Sequence, residues 1–526
     1  MRGLPGALAL GVLIGVIAVA FAGLLLAAEP SRSAVPWAYL RGLVAFSLGQ
    51  AALSTVLSLS LGAALALALA RRVRATGRNL FIAAMNLATV LPAIVLVFGL
   101  VAVYGRSGWL GQAANWFGLD LGSWLYGLPG ILIAHVFFNA PIAARVFLAA
   151  LSSVPAEHWR LAAHLGMQPS AVLRIIDRPI LAREALGVAG LIFALCFTSF
   201  AIVLALGGGP RAATLEVAIY EAIRFDVDFG RAGLIAAMQV GICLAVILPF
   251  VRLRGLGHET AAVGLTFDRP DIGHRSTMIV DAIALCAGAL LILPPLMAVA
   301  TSGAGAWTRL SAPDLFGALA TSLAVAVPAG LLAVALALGL ASLIRYLRLT
   351  AQQPYAADAV GLAALVVLIV PPFAITAGLF VVLRRVADPF ALALPLVALV
   401  NALLALPFAL RQLEPPLVAA GERYGRLADS LGIDGWHRTR LVDWPLLRRP
   451  LMVALAVAMA LSLGDFGVAA LFGSGDLVTL PVLLYDLMSA YRMEEAASVS
   501  LLIALLVLGL FLVAQRLSGD SLARNR

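Results

Sequence analysis

Long apolar runs decide what this chain can become. Residues 12–28, 53–70, 362–370 and 501–513 contain no charged side chain, and the longer runs approach the roughly 20 residues a helix needs to cross a bilayer. Composition agrees with that reading. Of 526 residues, 62% are hydrophobic and 12% charged, whereas about a quarter of a soluble chain is charged. Lipid is therefore the solvent for most of the chain, and the expected fold class is an all-α polytopic membrane protein.

Reading apolar runs against polar breaks gives about 12 transmembrane helices, near 5–27, 42–70, 80–105, 126–150, 185–207, 231–252, 276–300, 315–345, 357–384, 390–411, 451–474 and 495–515. Runs longer than a bilayer is thick imply tilt or a projecting end. The first run exceeds the 7–15 apolar residues of a signal peptide, so it is expected to stay as a helix. With the N-terminus inside, 26 arginines fall on cytoplasmic segments and 10 outside, while the acidic residues divide 14 and 13. This positive-inside pattern places both termini in the cytoplasm. It also accounts for the net charge of +9 without nucleic acid as a partner.

The chain contains no lysine, so all 36 basic residues are arginine. A P-loop ATPase and a protein kinase each need a phosphate-binding lysine. Energy from ATP would have to come from a partner. Cys196, Cys243 and Cys286 lie in apolar stretches without pairing at metal-ligand spacing, as expected of structural thiols. No catalytic residue, metal or cofactor is expected.

The most informative feature is internal self-similarity. Arg160-Leu161-Ala162-Ala163-His164-Leu165-Gly166 returns as Arg426-Leu427-Ala428-Asp429-Ser430-Leu431-Gly432, and Arg174, Asp177, Pro179 and Arg183 return as Arg440, Asp443, Pro445 and Arg449. Over residues 160–183, 10 of 24 positions are identical without a gap. Pro141 and Arg145 match Pro407 and Arg411, Phe200 and Gly207 match Phe466 and Gly473, and Pro92 pairs with Pro372 after a small shift. Two copies of one six-span unit have been fused the same way up, a parallel repeat. Residues 252–275 read as a cytoplasmic linker between them.

Each copy carries a cytoplasmic loop with a short helix-compatible run, a glycine, a second run with arginines, and a proline before the next span. Gly166 and Gly432 supply a turn that a side chain would hinder. Pro179 and Pro445 suit a helix start, where the missing N–H costs little. A compact knob presented twice in register suits docking to a two-fold symmetric partner.

At these residues the chain resembles the binding-protein-dependent ABC importer permeases. Their coupling loop runs Glu-Ala-Ala, three residues, Gly, nine residues, Ile, one residue, Leu-Pro. The resemblance assigns ATPase coupling to Arg160, Leu161, Ala162, Ala163, Gly166 and Pro179, and in the second copy to Arg426, Leu427, Ala428, Gly432 and Pro445. Arginine stands at 160 and 426 where the family has glutamate, so neither loop has a carboxylate there for an ion pair.

Residues 193–210 with 214–220, and 461–473 with 479–485, look most similar to the thiamine branch of the fused double permeases. The resemblance implies a type I importer of two fused six-helix halves. These are 1–265, with its coupling loop near 151–184, and 266–526, with its loop near 412–450. It further implies a cytoplasmic ABC ATPase dimer and a periplasmic thiamine-binding protein as partners, in a bacterial inner membrane. The cargo so implied is thiamine or its phosphates, and the alternatives are a ferric iron importer of the same class, a proton-coupled secondary transporter, or a membrane-embedded enzyme.

Asp465 is the one acidic residue deep in an apolar span, and a carboxylate there needs a partner or water. Its repeat mate is Ser199, beside Thr198. A substrate path for a cation is therefore expected at Asp465, Ser199 and Thr198, with Phe200 and Phe466 offering cation–π contact. Asn139, His135 and Asn401 are expected to hydrogen-bond between helices.

Overall fold

The computed structural model describes residues 4–27, 36–120, 122–207, 209, 212–254, 269–304, 312–367, 370–472 and 477–517. Among them there is no strand. The helices of the first half are α1 (Leu4–Ala27), α2 (Trp37–Arg71), α3 (Arg78–Val90), α4 (Ala93–Tyr104) and α5 (Trp109–Trp116). They continue as α6 (Leu128–Ser152), α7 (Ala156–His164), α8 (Pro169–Val172), α9 (Arg178–Phe197), α10 (Ala201–Leu206), α11 (Leu215–Arg224) and α12 (Phe229–Arg254). The second half begins with α13 (Arg275–Ala304), α14 (Ala312–Leu349), α15 (Pro354–Val366), α16 (Pro372–Leu383) and α17 (Ala393–Ser430). It ends with α18 (Gly435–Arg438), α19 (Trp444–Leu463), α20 (Gly467–Leu471), α21 (Leu480–Ser489) and α22 (Met493–Leu517).

Eleven described helices are long and apolar enough to cross a membrane. The expected span at 357–384 divides into α15 and α16, each too short alone, because Pro371 sits extended at the α16 N-cap with ψ 126°. The expected span at 80–105 divides in the same way at Pro92, whose ψ is 144°. A proline lacks the N–H that would continue the preceding helix, whereas hydropathy runs on through it. The two caps also reset the repeat here. Pro92 is equivalent to Pro371, one residue from Pro372, and this register aligns Gly99 with Gly378.

The described residues form two compact units, one of 36–217 and 241–302, the other of 1–35, 218–240 and 303–526. These do not coincide with the sequence halves 1–265 and 266–526. In the first unit α2 packs along α6 and α9. There α13 approaches Leu65 of α2 through Gly288, and Gly99 of α4 through Pro295. In the second unit α14, α17 and α19 pack on one another, and α1 lies against α14 and α16. Each unit thus takes its leading helix from the other half of the sequence.

The physical reason is legible in α1, which carries no charge and presents Gly23 to the backbone of Gly378 on α16. Between membrane helices, association depends on close van der Waals packing of small residues. Leu13 of α1 is buried with Leu340, Ala337 and Leu406.

Candidate functional site

The two repeated loops fold alike around their glycines. Gly166 has φ 59° and Gly432 φ 64°, the left-handed region that costs a side-chain-bearing residue roughly 1–2 kcal/mol. In the first loop Met167 N–H donates to Ala162 O at 3.0 Å, and in the second Ile433 N–H donates to Ala428 O at 2.8 Å. This is the six-to-one bond of a Schellman helix stop, which satisfies a carbonyl left over at the helix end. A Cβ at either glycine would meet only open space, so the requirement is one of backbone conformation alone.

Beyond the glycine, both copies rise through a four-residue helix into a five-residue π-helical segment, Leu173–Asp177 in one and Thr439–Asp443 in the other. Arg178 N–H donates to Leu173 O and Trp444 N–H to Thr439 O, five residues back. Pro179 and Pro445 then stand in the first turn of α9 and α19. Both prolines thus stand at a helix start, as the sequence suggests, and each helix is entered from the π segment without a break. The backbone is already helical before them, with Asp177 at φ −69° and ψ −48°, and the widened turn lies where a proline cannot donate.

The copies differ at their entrances. The first loop has a discrete helix, α7, begun after an extended Pro155. In the second, α17 runs without a break from the membrane span to Ser430, with Pro407, Pro415 and Pro416 inside it. What faces outward is shared. Ala162 and Ala428 are buried, whereas Leu161, Leu165 and Ile175 in one loop and Leu427, Leu431 and Leu441 in the other are exposed. Arg160, Ala163 and Arg426 are exposed as well.

A group of buried charges from the end of α2, the first loop, the segment before α13 and α13 itself closes the first loop from within. Arg71 Nε lies 2.8 Å from Asp271 Oδ2 and its Nη1 2.9 Å from Asp281 Oδ1. Arg72 Nε lies 2.9 Å from Asp281 Oδ2. Arg269 Nη2 donates to Asp177 Oδ2 at 2.7 Å and its Nε to Asp271 Oδ1 at 3.1 Å. Its guanidinium also stacks 4.4 Å over the Trp159 ring. Burial alone would raise the Asp271 carboxyl, but hydrogen bonds and charge from Arg269 and Arg71 hold it below the usual aspartate value. In the second loop the corresponding pair is Arg345 Nη1 and Asp443 Oδ1 at 2.9 Å.

The expected path residues sit at helix breaks. Asp465 and Phe466 lie between α19 and α20, and Thr198, Ser199 and Phe200 lie between α9 and α10. The two sets belong to different compact units. The Asp465 carboxyl is approached by the Asn401 amide and by backbone N–H groups of Gly467, Val468 and Ala469. Among the described residues its Oδ2 has no hydrogen-bond partner. Thr198 turns its hydroxyl back to Ala194 O at 2.9 Å. Phe200 is buried, and Phe466 is buried against Tyr485 with ring centroids 4.8 Å apart.

Asn401 donates to Ser462 Oγ at 3.0 Å, Ser54 Oγ bonds His135 Nδ1 at 3.0 Å, and Asn139 donates to Cys196 Sγ at 3.3 Å. These three residues therefore link helices.

Comparison with known proteins gives consistent matches. Residues 356–518 match the family described as binding-protein-dependent transport system inner membrane component. The thiamine transport system permease protein ThiP of Salmonella typhimurium is 41% identical over 524 residues, covering 98% of this chain and 96% of the relative. Its counterpart in Escherichia coli K12 is 40% identical over 521 residues, with coverage of 98% and 96%. That of Brucella abortus is 41% identical over 485 residues, with coverage of 92% and 88%.

Proposed function

This chain belongs to the thiamine transport permease family of the binding-protein-dependent importers, and from that premise we propose that it carries thiamine across a bacterial inner membrane. Transport is driven by a separate cytoplasmic ABC ATPase dimer and fed by a periplasmic thiamine-binding protein. Both termini face the cytoplasm. The chain itself performs no catalysis, and ATP is bound by the partner.

The observation that carries this reading is the pair of loops with one stop geometry and one set of outward apolar side chains at 161/427, 165/431 and 175/441. Arg160, Leu161, Ala162, Ala163, Gly166 and Pro179 form the first handle, and Arg426, Leu427, Ala428, Gly432 and Pro445 the second. ATP can drive the cycle only if inward- and outward-open forms of the permease bind the ATPase states with different affinity. Reconstitution with the ATPase and binding protein should give ATP-dependent uptake of labelled thiamine. Uptake of ferric iron in its place, or uptake without the ATPase, would overturn the assignment.

Asp465 is the candidate for contact with the cationic substrate. Its unpartnered oxygen is motivation for that role, since a carboxylate in a span is costly unless it is used. A hydrogen bond to a charged group contributes about 1.5–3 kcal/mol, so Asp465→Asn should lower uptake roughly tenfold or more at subsaturating thiamine. Unchanged uptake by Asp465→Ala removes the carboxylate from the path. Thr198, Ser199 and Phe200 at one helix break and Phe466 at the other enter the proposal as repeat equivalents, each within its own unit.

A further inference from the structure

The two handles are not built alike from behind. Arg269 lies six residues before α13, in the segment joining the sequence halves, yet its side chain is buried in the first loop. It reaches Asp177 in the π segment, stacks on Trp159 of α7, and shares Asp271 with Arg71 at the end of α2. Asp281 of α13 then holds both Arg71 and Arg72. Three arginines and three aspartates thus tie α2, α7, the start of α9 and α13 to one point.

Among the described residues the second loop is held by other pairs, Arg345 with Asp443, Arg348 with Glu414 and Arg438 with Asp429. Arg345 lies in the last turns of α14 as Arg71 ends α2, in Arg345-Tyr346-Leu347-Arg348-Leu349-Thr350 against Arg71-Arg72-Val73-Arg74-Ala75-Thr76. It pairs with Asp443. The position of Trp159 is held by Gly425, and α1, the counterpart of α13, has no charged residue.

A buried ion cluster is weak support for stability, because desolvation offsets much of its attraction. This one is also incompletely satisfied: Asp177 Oδ1 and Arg269 Nη1 have no hydrogen-bond partner among the described residues. What such a cluster does supply is fixed geometry. Arginine's planar fork holds two carboxylates and an aromatic face at set angles, which a lysine cannot do.

We infer that Arg269 is a positioning residue for coupling, which makes the first loop move as one body with α2 and α13, whereas in the second loop Arg345–Asp443 ties the π segment to α14 and, among the described residues, α1 brings no charged group to it. The inference rests on the loops being ATPase handles. On this account, displacement of α7 by the partner reaches the membrane helices of its unit through the Trp159–Arg269–Asp177 contacts. Loosening them leaves the ATPase docked and active but lowers the transport obtained per ATP.

The test is reconstitution of the full chain with its ATPase and binding protein, measuring thiamine uptake and ATP hydrolysis in the same vesicles. Arg269→Gln should cut uptake per ATP about tenfold, with hydrolysis held within about twofold. Arg269→Lys should fall between it and the parent, and Trp159→Leu should reproduce the defect with every ion pair left in place. The double variant Arg269→Met with Asp177→Asn restores charge balance, so a purely structural role would return the ratio to normal. Persistent uncoupling supports the positioning role. Uptake and hydrolysis falling in equal proportion, or a normal ratio in Trp159→Leu, overturns it. Failure of the unaltered chain to show ATP-dependent uptake would instead count against the proposed function.

Discussion

Changing Leu165 and Leu431 together to glutamate is expected to lower ATPase affinity at least about 100-fold and to abolish uptake, while the permease remains folded. The two leucines are 67% and 64% exposed, so their replacement removes little intramolecular packing, and surface changes of this kind usually stay within about 0.5 kcal/mol of neutral. Each sits at the end of a helix, one residue before the glycine stop, four residues after another exposed leucine. That spacing places both leucines of a loop on one helix face.

Seating one leucine in a partner pocket contributes roughly 1.5–3 kcal/mol. A carboxylate in its place adds a desolvation cost. Two such losses sum to several kcal/mol, and every 1.4 kcal/mol is tenfold in affinity. The single variants should be milder than half the double, because the intact loop keeps the ATPase near the damaged one. Co-purification and stimulated hydrolysis report docking, and a thermal-shift measurement in detergent reports folding. A folded double variant that still binds the ATPase as tightly as the parent removes the apolar face from the interface.

Much of this architecture is legible in sequence where the constraint is local. The left-handed glycines follow from Gly166 and Gly432 recurring at one offset. Buried Ala162 and Ala428 beside exposed Leu161 and Leu427 follow helical spacing. Other features escaped because hydropathy does not register backbone direction. The runs through Pro92 and Pro371 are as apolar as continuous spans, yet each is broken at its proline. The reverse holds in α17, where Pro415 and Pro416 lie inside a continuous helix.

The buried charges escaped for a different reason. Arg269 and Asp177 are 92 residues apart, and Arg71 and Asp281 are 210 apart. Nothing in a local window distinguishes them from charges facing the cytoplasm. The repeat marked Asp177 and Asp443 as equivalent without showing that both are buried and paired. Nor does periodicity tell which half of the chain will receive α1, a helix apolar on every face.

Gly378→Leu should strip α1 from its unit and destabilise the protein by roughly 3 kcal/mol or more, the upper range for overpacking. A Cβ at Gly378 would overlap the Ala20 carbonyl oxygen, and one at Gly23 the Gly378 carbonyl oxygen, so the obstruction is backbone against backbone. A flexible side chain could swing aside, but two helix backbones can relieve such overlap only by moving apart. Separation forfeits the contacts on both sides of the crossing, including the burial of Ala20 with Ile375 and Val397. No hydrophobic drive toward water-free surroundings compensates, because the lipid that replaces α1 is equally apolar. Gly11→Ala supplies the control on the same helix, since its Cβ would meet nothing within 4 Å. That variant should be neutral or slightly stabilising, by up to about 1 kcal/mol through the helix preference for alanine. Thermal unfolding in detergent, with protease accessibility of α1 as a second readout, separates the two variants. Parental stability in Gly378→Leu would mean that α1 does not cross α16 at this glycine, and the exchange of leading helices between units would fall with it.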